Sequence, residues 1–328
     1  MEKKCNIKNK WIIVFALIIV VGIAFLVIKL LLSDNEPVNL PYTKQFNFRI
    51  NNLDEYNLSA TIGDNYNLNT PKGICVADGS LFVVDSGNNR MVEFDLNGNF
   101  VREIGKKGEG KAEFINPTGI TADKDNNLYV LDSGNGRIQV LDRNGNFLRQ
   151  INVNNQRMID IALDENNNIY ISTDTHDLNK AYIYVINPNG KIKKFGKGLN
   201  GYLTSTTEGV YFASFMELPR KRNPQSLNEK SGISHLLKIT PDGFTNICQL
   251  PLYYYAGDLL YINDTLYSLS KGMAILNKYD LEGNYIGTSF KPDIMEYLGM
   301  TYMAAAPDNT IYISDTSKNL IYKLDKIK

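Results

Sequence analysis

Residues 83–100 read VVDSGNNRMVEFDLNGNF, and residues 130–147 read VLDSGNGRIQVLDRNGNF, so the chain repeats nearly the same segment 47 residues later. Each copy holds short runs rich in β-branched and aromatic side chains, separated by Asp, Asn, Gly and Ser, which is typical of strands joined by tight turns. In the second copy, from Pro117 to Ile151, the runs GITAD, NLYVLD, RIQVLD and NFLRQI predict four antiparallel strands, which we label A to D.

The turn between strands C and D recurs along the chain. A polar residue followed by Gly favours a tight hairpin, because only Gly takes a positive φ without steric cost. The glycines of these turns are Gly98, Gly145, Gly190, Gly243 and Gly283. Four-stranded units that repeat every 40 to 50 residues or so are typical of propeller blades, and one blade is too small to bury both of its faces alone. The sequence therefore predicts a ring of blades.

The last unit lacks its fourth strand. Strands A and B are predicted within residues 303–315 and strand C within 319–325, and the chain then ends at Lys328. The segment YNLSATIG, residues 56–63, precedes Pro71 as NFVREIG precedes Pro117. We expect this N-terminal strand to complete the last sheet and to leave no open edge. The prediction is an all-β, six-bladed β-propeller of four-stranded antiparallel blades over residues 56–328, closed by an N-terminal strand.

The segments GICVADGSLFVVDSGNNRMVEFDLNG and PTGITADKDNNLYVLDSGNGRIQVLDRNG resemble NHL repeats. This resemblance is good over residues 65–152, fair in the third and last units, and weak between residues 200 and 290, where the assignment rests on turn spacing alone. It implies a six-bladed propeller of the kind found in secreted and membrane-anchored bacterial proteins.

The N-terminal residues differ from the rest of the chain. Residues 1–10 contain four lysines, residues 11–28 are apolar without interruption, and only Lys29 interrupts the run to Leu32. An apolar helix of this length spans about 30 Å of hydrocarbon, and the flanking charges place residues 1–10 in the cytoplasm. We predict a transmembrane helix at 11–32, a tether at 33–55 and an extracytoplasmic propeller at the cell membrane. A cleaved signal peptide is the alternative.

The charge balance argues against a nucleic-acid partner, and the cysteine content argues against a disulfide-stabilised fold. Lys and Arg together number 35, as do Asp and Glu, so no net field attracts nucleic acid, and we predict no nucleic-acid partner. The three cysteines, Cys5, Cys75 and Cys248, form no disulfide framework.

The connections predict which face of the ring binds a partner. The A–B and C–D connections are short, and the long ones all join B to C or D to A, so we name that side the B–C/D–A face. Long loops on a rigid scaffold commonly carry function. The candidate binding residues on this face are Asp85, Arg90, Asp132, Arg137, His176, Tyr202, Arg220, Lys221, Arg222 and Tyr302.

Two groups among these candidates have structural alternatives. The DSGNNR and DSGNGR motifs, which contain Asp85, Arg90, Asp132 and Arg137, can equally serve as turns stabilised by an ion pair. The basic run at residues 220–222 can dock an acidic partner or be a solvated loop.

One position breaks the repeat where strand A enters the central channel. The equivalent residues in the six units are Gly73, Gly119, Asp160, Tyr202, Asp258 and Tyr302. Converging carboxylates can bind a hard cation such as Ca²⁺, orient a cationic ligand or act as acid and base. Asp160 and Asp258 are therefore the candidate metal ligands, and two separately solvated acids are the alternative.

Some propellers that resemble this chain are enzymes. Peptide-amidating lyases hold zinc with several histidines, streptogramin lyases use a catalytic histidine, and gluconolactonase-like propellers hold a divalent metal with acidic and Asn ligands. This chain has two histidines, His176 and His235, whereas a catalytic zinc site normally needs three protein ligands. We predict a binding module for an extracytoplasmic protein, peptide or glycan, with no cofactor. The alternative is a divalent-metal-dependent hydrolase or lyase with its site at the channel mouth.

Overall fold

The structure is a computed structural model that describes residues 53–174, 180–215, 234–250, 256–270, 275–290 and 299–327. Over these ranges, no helix has both the length and the apolar character needed to cross a membrane. The predicted tail at 1–10, the predicted helix at 11–32 and all but the last residues of the predicted tether lie outside the described residues. They stay predictions.

The described residues form six four-stranded antiparallel sheets, and the prediction of a six-bladed all-β propeller is confirmed. Blade one contains β2 (Pro71–Ala77), β3 (Ser80–Asp85), β4 (Arg90–Asp95) and β5 (Phe100–Ile104). A two-stranded parallel sheet follows, made of β6 (Lys106–Lys107) and β7 (Glu113–Phe114). Blade two contains β8 (Ile120–Ala122), β9 (Leu128–Asp132), β10 (Arg137–Leu141) and β11 (Phe147–Asn152).

Blades three to five are equally regular, although their sequence resemblance to the first two is weak. Blade three contains β12 (Met158–Leu163), β13 (Ile169–Thr173), β14 (Ile183–Ile186) and β15 (Ile192–Phe195). Blade four contains β16 (Asn200–Thr206), β17 (Gly209–Phe215), β18 (His235–Thr240) and β19 (Gly243–Gln249). Blade five contains β20 (Ala256–Ile262), β21 (Thr265–Ser270), β22 (Leu276–Tyr279) and β23 (Tyr285–Phe290).

Blade six draws its strands from both ends of the described chain. It contains β24 (Met300–Ala305), β25 (Ile311–Asp315), β26 (Leu320–Lys326) and β1 (Tyr56–Ile62). Strand β1 pairs antiparallel with β26 and occupies the place of strand D. Just before β1, the Leu53 and Glu55 amides donate to carbonyl oxygens of β23, at 2.8 and 3.0 Å, and attach the chain to blade five as well.

The hydrophobic core lies between blades. Six clusters of buried side chains lie between neighbouring blades, and the one between blades six and one also includes Tyr202 of blade four. A buried aromatic residue recurs at the same position of every B strand, and these residues are Phe82, Tyr129, Tyr170, Tyr211, Tyr267 and Tyr312. Each blade therefore depends on its neighbours to bury its faces.

The C–D turns also connect blades. Gly145 has a φ of +84°, and a Cβ atom placed there would lie 2.7 Å from Cγ2 of Ile104, which ends strand D of blade one. Gly190, with a φ of +80°, has no atom within 4 Å of the same point. Glycine is therefore required at residue 145 both for its backbone conformation and for the close approach of the preceding blade.

Candidate functional site

The DSGN motifs form the B–C turns of blades one and two. Asp85 is fully buried and accepts the Asn69 amide at 2.7 Å, and its other oxygen pairs with Arg90 Nε at 2.8 Å. Arg90 also reaches the Glu103 carboxylate at 2.5 Å. These two candidate binding residues are engaged within the protein.

The second motif fixes the long D–A connection between blades one and two. Buried Asp132 accepts the Ile115 amide and pairs with Arg137, both at 2.8 Å. The Arg137 guanidinium also donates to the carbonyl oxygens of Gly110 and Glu113, at 2.8 and 3.1 Å. In both motifs the turn-and-ion-pair interpretation matches the geometry, and the second one holds the loop that begins after β5.

Four other candidates, His176, Arg220, Lys221 and Arg222, lie outside the described residues. His235, the other histidine, begins β18 and is buried. Its Nδ1 lies 3.2 Å from Oδ1 of Asn246, and burial lowers the pKa of its imidazole.

At the channel, glycines stand where neighbouring inner strands touch directly. The Gly73 amide donates to the Thr118 carbonyl at 2.8 Å, and a Cβ at residue 73 would lie 2.7 Å from the same oxygen. A Cβ at Gly119 would lie 3.0 Å from the Ile159 carbonyl oxygen. Blades one, two and three therefore approach too closely for a side chain at these two positions.

The two aspartates at the same position bridge blades instead. Asp160 accepts its neighbour's amide, Ile161, at 2.9 Å and the Leu203 amide of blade four at 2.6 Å. Asp258 repeats this arrangement, accepting the Leu259 amide at 2.8 Å and the Met303 amide of blade six at 2.6 Å. Each carboxylate thus accepts hydrogen bonds from backbone N–H groups at the channel edge of inner strands, where no further strand is present to pair with them.

Burial dominates the electrostatics of this pair. Loss of hydration raises the pKa of the Asp160 carboxyl to about 7, although two backbone N–H groups oppose the shift. Burial and then the neighbouring Asp160 raise the pKa of the Asp258 carboxyl well above its usual range. The pair therefore retains protons at pH values where exposed aspartates have lost them.

Tyr202 and Tyr302 are buried within the channel. Their rings meet edge to face with centroids 5.4 Å apart, and the Tyr302 hydroxyl donates to the Ile159 carbonyl of blade three at 3.2 Å. Because Ile159 lies near the B–C end of its blade, the two rings obstruct the channel on the B–C/D–A side. These two candidates fill the channel rather than offer open rings to a partner.

A cavity of about 360 Å³ occupies the channel beyond the two tyrosines. Both aspartates line it, and its lining continues along the inner strands to Val76, Ser205 and Ala305, next to the A–B turns. The cavity therefore extends from the tyrosine pair towards the face opposite the B–C/D–A face.

A larger groove, of about 550 Å³, lies on the B–C/D–A face where blade two meets blade three. Its lining residues are Asn135, Gly136, Asn154, Asn155, Gln156, Arg157, Lys180, Tyr182 and Tyr184. Sequence reasoning identified this face but not the groove. The sequence signal for the groove is the run NVNNQR, residues 152–157, which places three amide side chains side by side in the D–A connection.

Local contacts fix the shape of this groove. The Asn155 side chain donates to the Tyr184 hydroxyl at 2.9 Å and accepts the Arg157 amide at 2.7 Å. Tyr182 exchanges two hydrogen bonds with the Thr173 hydroxyl, at 2.9 and 3.0 Å. The connection from blade two and the third strand of blade three are thus joined at the groove.

Two sequence comparisons agree with this architecture. A family model described as a 6-bladed beta-propeller matches residues 61–214, just under half of the chain. The RING finger protein nhl-1 of Caenorhabditis elegans is 40% identical over 58 residues, which is 17% of this chain and 6% of that protein. The chain is a six-bladed β-propeller, and a short part of it is similar in sequence to an NHL protein.

Solved structures similar to this propeller show the fold alone. Virginiamycin B lyase from Staphylococcus aureus aligns with a TM-score of 0.56 and 16% identity, over 83% of this chain and 100% of that one. The calcium-binding protein regucalcin from Agrobacterium tumefaciens aligns with a TM-score of 0.56 and 11% identity, over 82% and 94% of the two chains.

The carboxylates of this propeller form no larger metal-binding group in the described ranges. No three or more His, Cys, Asp or Glu side chains come together there. Both oxygens of Asp160 and of Asp258 accept backbone N–H groups, and a calcium ion takes about 6 to 8 oxygen ligands. Metal binding by these two aspartates stays a prediction.

Proposed function

We propose that this propeller is a membrane-tethered, extracytoplasmic binding module that takes a peptide, protein or glycan at its B–C/D–A face. The observation that carries the proposal is the groove between blades two and three. It lies on the face that receives the long connections, and it combines side-chain amides, two half-buried tyrosines and two cations. A concave site with a few converging polar groups and aromatic side chains is typical of ligand binding.

The tether completes the proposal. An apolar helix at residues 11–32 would hold the chain in the cell membrane and leave the ring outside the cell, within reach of extracellular ligands. The described chain enters the ring at Leu53, which is bonded to the outer strand of blade five. The groove belongs to blades two and three and lies away from this point of attachment.

The proposal is tested by reversing one charge on each face of the purified full-length chain. Arg157 is exposed in the groove, and Lys124 is exposed in the A–B turn of blade two on the opposite face. Arrays of peptides and polysaccharides would be probed with the native chain, Arg157→Glu and Lys124→Glu. We expect Arg157→Glu to weaken binding by about tenfold or more and Lys124→Glu to leave it unchanged. Binding that responds to Lys124→Glu instead would assign the site to the other face.

A second candidate function is supported by the channel cavity. It contains two buried carboxylates with raised pKa values, and groups with such shifts cluster at catalytic sites. We therefore retain a divalent-metal-dependent hydrolase or lyase as the alternative. Metal analysis of the native chain and of an Asp160→Ala, Asp258→Ala double variant tests it. A stoichiometric metal that only the double variant lacks would favour the enzyme, and a metal-free native chain would remove this alternative.

A further inference from the structure

We propose that the channel cavity binds a linear diamine, with one ammonium group at Asp160 and Asp258 and the other at the acidic A–B turns around the cavity mouth. This site lies on the side of the ring opposite the B–C/D–A face, so it adds to the proposed function and does not depend on it. Three features carry the inference, namely two buried acids without a cation, walls that suit an alkyl chain and an acid in every A–B turn.

The two acids at the inner end of the cavity have no counter-ion. Asp160 is 7% exposed and Asp258 is 5% exposed, and both line the cavity. Each of their oxygens accepts one backbone N–H, and a carboxylate oxygen has a second lone pair. No Lys, Arg or His is among the cavity-lining residues, and no cation of the described chain contributes to the electrostatics of either acid. Because buried charges are normally paired, this cavity offers a place for a cationic ligand.

The walls of the cavity suit an unbranched alkyl chain. Between the acids and the A–B turns, the lining includes the aliphatic residues Val76, Ala162, Leu203 and Ala305. The inner strands also turn their unpaired edge towards the channel, so their carbonyl oxygens can accept ammonium hydrogens. Asp160 lies three residues before Leu163, the last residue of β12, so about 10 Å separates the acids from the turns. A diamine with about eight carbon atoms between its nitrogens has this reach.

An acidic rim surrounds the mouth of the cavity. The A–B turns follow the inner strands and therefore encircle the channel on this side. Lys124 is the single basic residue of these six turns, and every turn contains at least one acid. One acid from each turn is Asp78, Asp123, Asp164, Glu208, Asp264 and Asp308. Asp78 pairs with Arg143 and Glu208 with Lys238, and the others keep the rim negative. A mouth lined by one sign of charge concentrates ligands of the opposite sign.

An ammonium group fits these acids better than a metal ion does. A calcium ion takes about 6 to 8 oxygen ligands, whereas no third His, Cys, Asp or Glu joins the pair within the described residues. A primary ammonium has three N–H donors, so one oxygen from each aspartate and one backbone carbonyl satisfy it. A monoamine would leave the rim without a cation. A second ammonium at the far end of the chain therefore adds to the affinity.

Binding should release protons. Burial raises the pKa of both carboxyls, to about 7 for Asp160, and a nearby ammonium favours their ionised form. The other titratable side chains at the cavity or beside it are Cys75, Tyr202, Tyr261 and Tyr302. Burial also raises the pKa values of the Cys75 thiol and of the Tyr202 and Tyr302 hydroxyls, so these three stay neutral near pH 7. The affinity for the diamine should therefore increase as pH rises from about 6 to about 8.

The test is calorimetric titration of the purified full-length chain with octanediamine, octylamine, octanediol and calcium chloride. We expect octanediamine to bind about tenfold or more tighter than octylamine, and octanediol to give no measurable binding. Equal binding of the diamine and the diol, or no binding of the diamine, would overturn the inference. Calcium that binds stoichiometrically and excludes the diamine would overturn it in favour of the metal-dependent alternative.

Variants assign the binding to the channel. Asp160→Asn should weaken the diamine by about tenfold or more. Glu165 is exposed in the A–B turn of blade three, and Glu109 is exposed on the B–C/D–A face, so they form a matched pair. Glu165→Lys should weaken the diamine by about threefold, and Glu109→Lys should leave it unchanged. The exposed pair tests the site even if Asp160→Asn lowers stability.

Two outcomes of the variant series would contradict the site. One is a diamine affinity that is the same in Asp160→Asn and Asp258→Asn as in the native chain. The other is an equal effect of Glu165→Lys and Glu109→Lys, which would remove the acidic rim from the site. Arg157→Glu in the groove should not change diamine binding, so failure here and failure of the proposed function are distinguishable.

Discussion

At the scale of single residues, the position where strand A enters the channel carries three residue types, and each makes a different contact with the next blades. Glycine allows two inner strands to touch, as at Gly73. Aspartate spans to the next blade and accepts its amide, as at Asp160 and Asp258. Tyrosine fills the channel, as at Tyr302. The sequence alignment located this position, but it could not tell a blade-bridging acid from a metal ligand, because that choice depends on which backbone amide lies opposite.

The raised pKa values of the two channel acids predict a dependence of stability on pH. The folded chain holds protons on Asp160 and Asp258 that the unfolded chain has released, so unfolding becomes easier as pH rises through this interval. This contribution is complete below about pH 4 and is lost as pH rises through about 7. We expect an Asp160→Asn, Asp258→Asn double variant to show a flatter pH profile, measured by urea unfolding between about pH 4 and 8.

The double variant should also lose some stability at every pH. Each Asn side chain has one acceptor oxygen where Asp has two, so one backbone N–H per site loses its acceptor. The slope is therefore the readout. Asp95 serves as the control, since hydrogen bonds from Asn99 lower the pKa of its carboxyl. Asp95→Asn should leave the slope above about pH 4 unchanged. A double variant that keeps the native slope over this interval would show that the channel acids hold no extra protons in the folded chain.

At the scale of elements, the strands of the strongest repeats could be predicted closely from the sequence. The run RIQVLD corresponds to β10 (Arg137–Leu141), and NFLRQI corresponds to β11 (Phe147–Asn152). Period-two alternation and turn glycines are local signals, and they suffice for a hairpin. The groove could not be predicted in this way, because Asn155 and Tyr184 meet only after two blades have packed together.

The C–D turns give a prediction with a matched control. Gly145→Ala would force an L-residue to a φ of +84° and would push against Ile104 of the preceding blade. Gly190→Ala would carry only the conformational cost of a φ of +80°, because no atom lies within 4 Å of the added Cβ. We expect the first to lower the free energy of unfolding by about 2–4 kcal/mol and the second by about 1–2 kcal/mol. Urea unfolding measures both, and equal losses would mean that turn and blade do not press together.

The strand that closes blade six offers a second matched pair. Ile62 is 3% exposed and packs in the cluster between blades six and one, whereas Leu58 on the same strand is 38% exposed. Ile62→Ala should cost about 2–4 kcal/mol of unfolding free energy, and Leu58→Ala about 0.5 kcal/mol. Denaturant titration would show the difference. Similar small effects for both would mean that β1 can leave the ring without opening it.

At the scale of the whole molecule, six junctions of similar construction make a ring with one seam. The count of six followed from turn spacing, because five C–D turns and one unit without its fourth strand leave one strand to be found. Turn spacing alone predicted blades four and five correctly, because β16 to β23 form regular sheets although their sequence resembles the other blades only weakly. The repeat cannot reveal differences between junctions, such as the groove between blades two and three.

The predicted membrane anchor is also tested on the whole molecule. The full-length chain, expressed in bacterial cells, should sediment with membranes and remain there after an alkaline carbonate wash, because an apolar helix at 11–32 cannot be stripped by charge. Deletion of residues 11–32 should release the ring. Protease added to spheroplasts should then degrade the propeller of the native chain. A native chain that carbonate extracts, or that protease does not reach, would contradict the predicted tether or its orientation.

The double attachment of the segment before β1 has a mechanical consequence. Glu55 pairs with Lys278 at 2.8 Å and accepts the Ile327 amide at 2.8 Å, and so it fastens blade five and the end of blade six to the incoming chain. A pulling force applied from the N-terminal side would act on these Glu55 contacts before it acted on the pairing of β1 with β26. Once it gave way, the seam would open from the Tyr56 end, and the ring would lose its closing strand while five complete blades remained. If the predicted tether holds the propeller at the membrane, a pulling force would therefore strain blade six first, where β1 closes the ring.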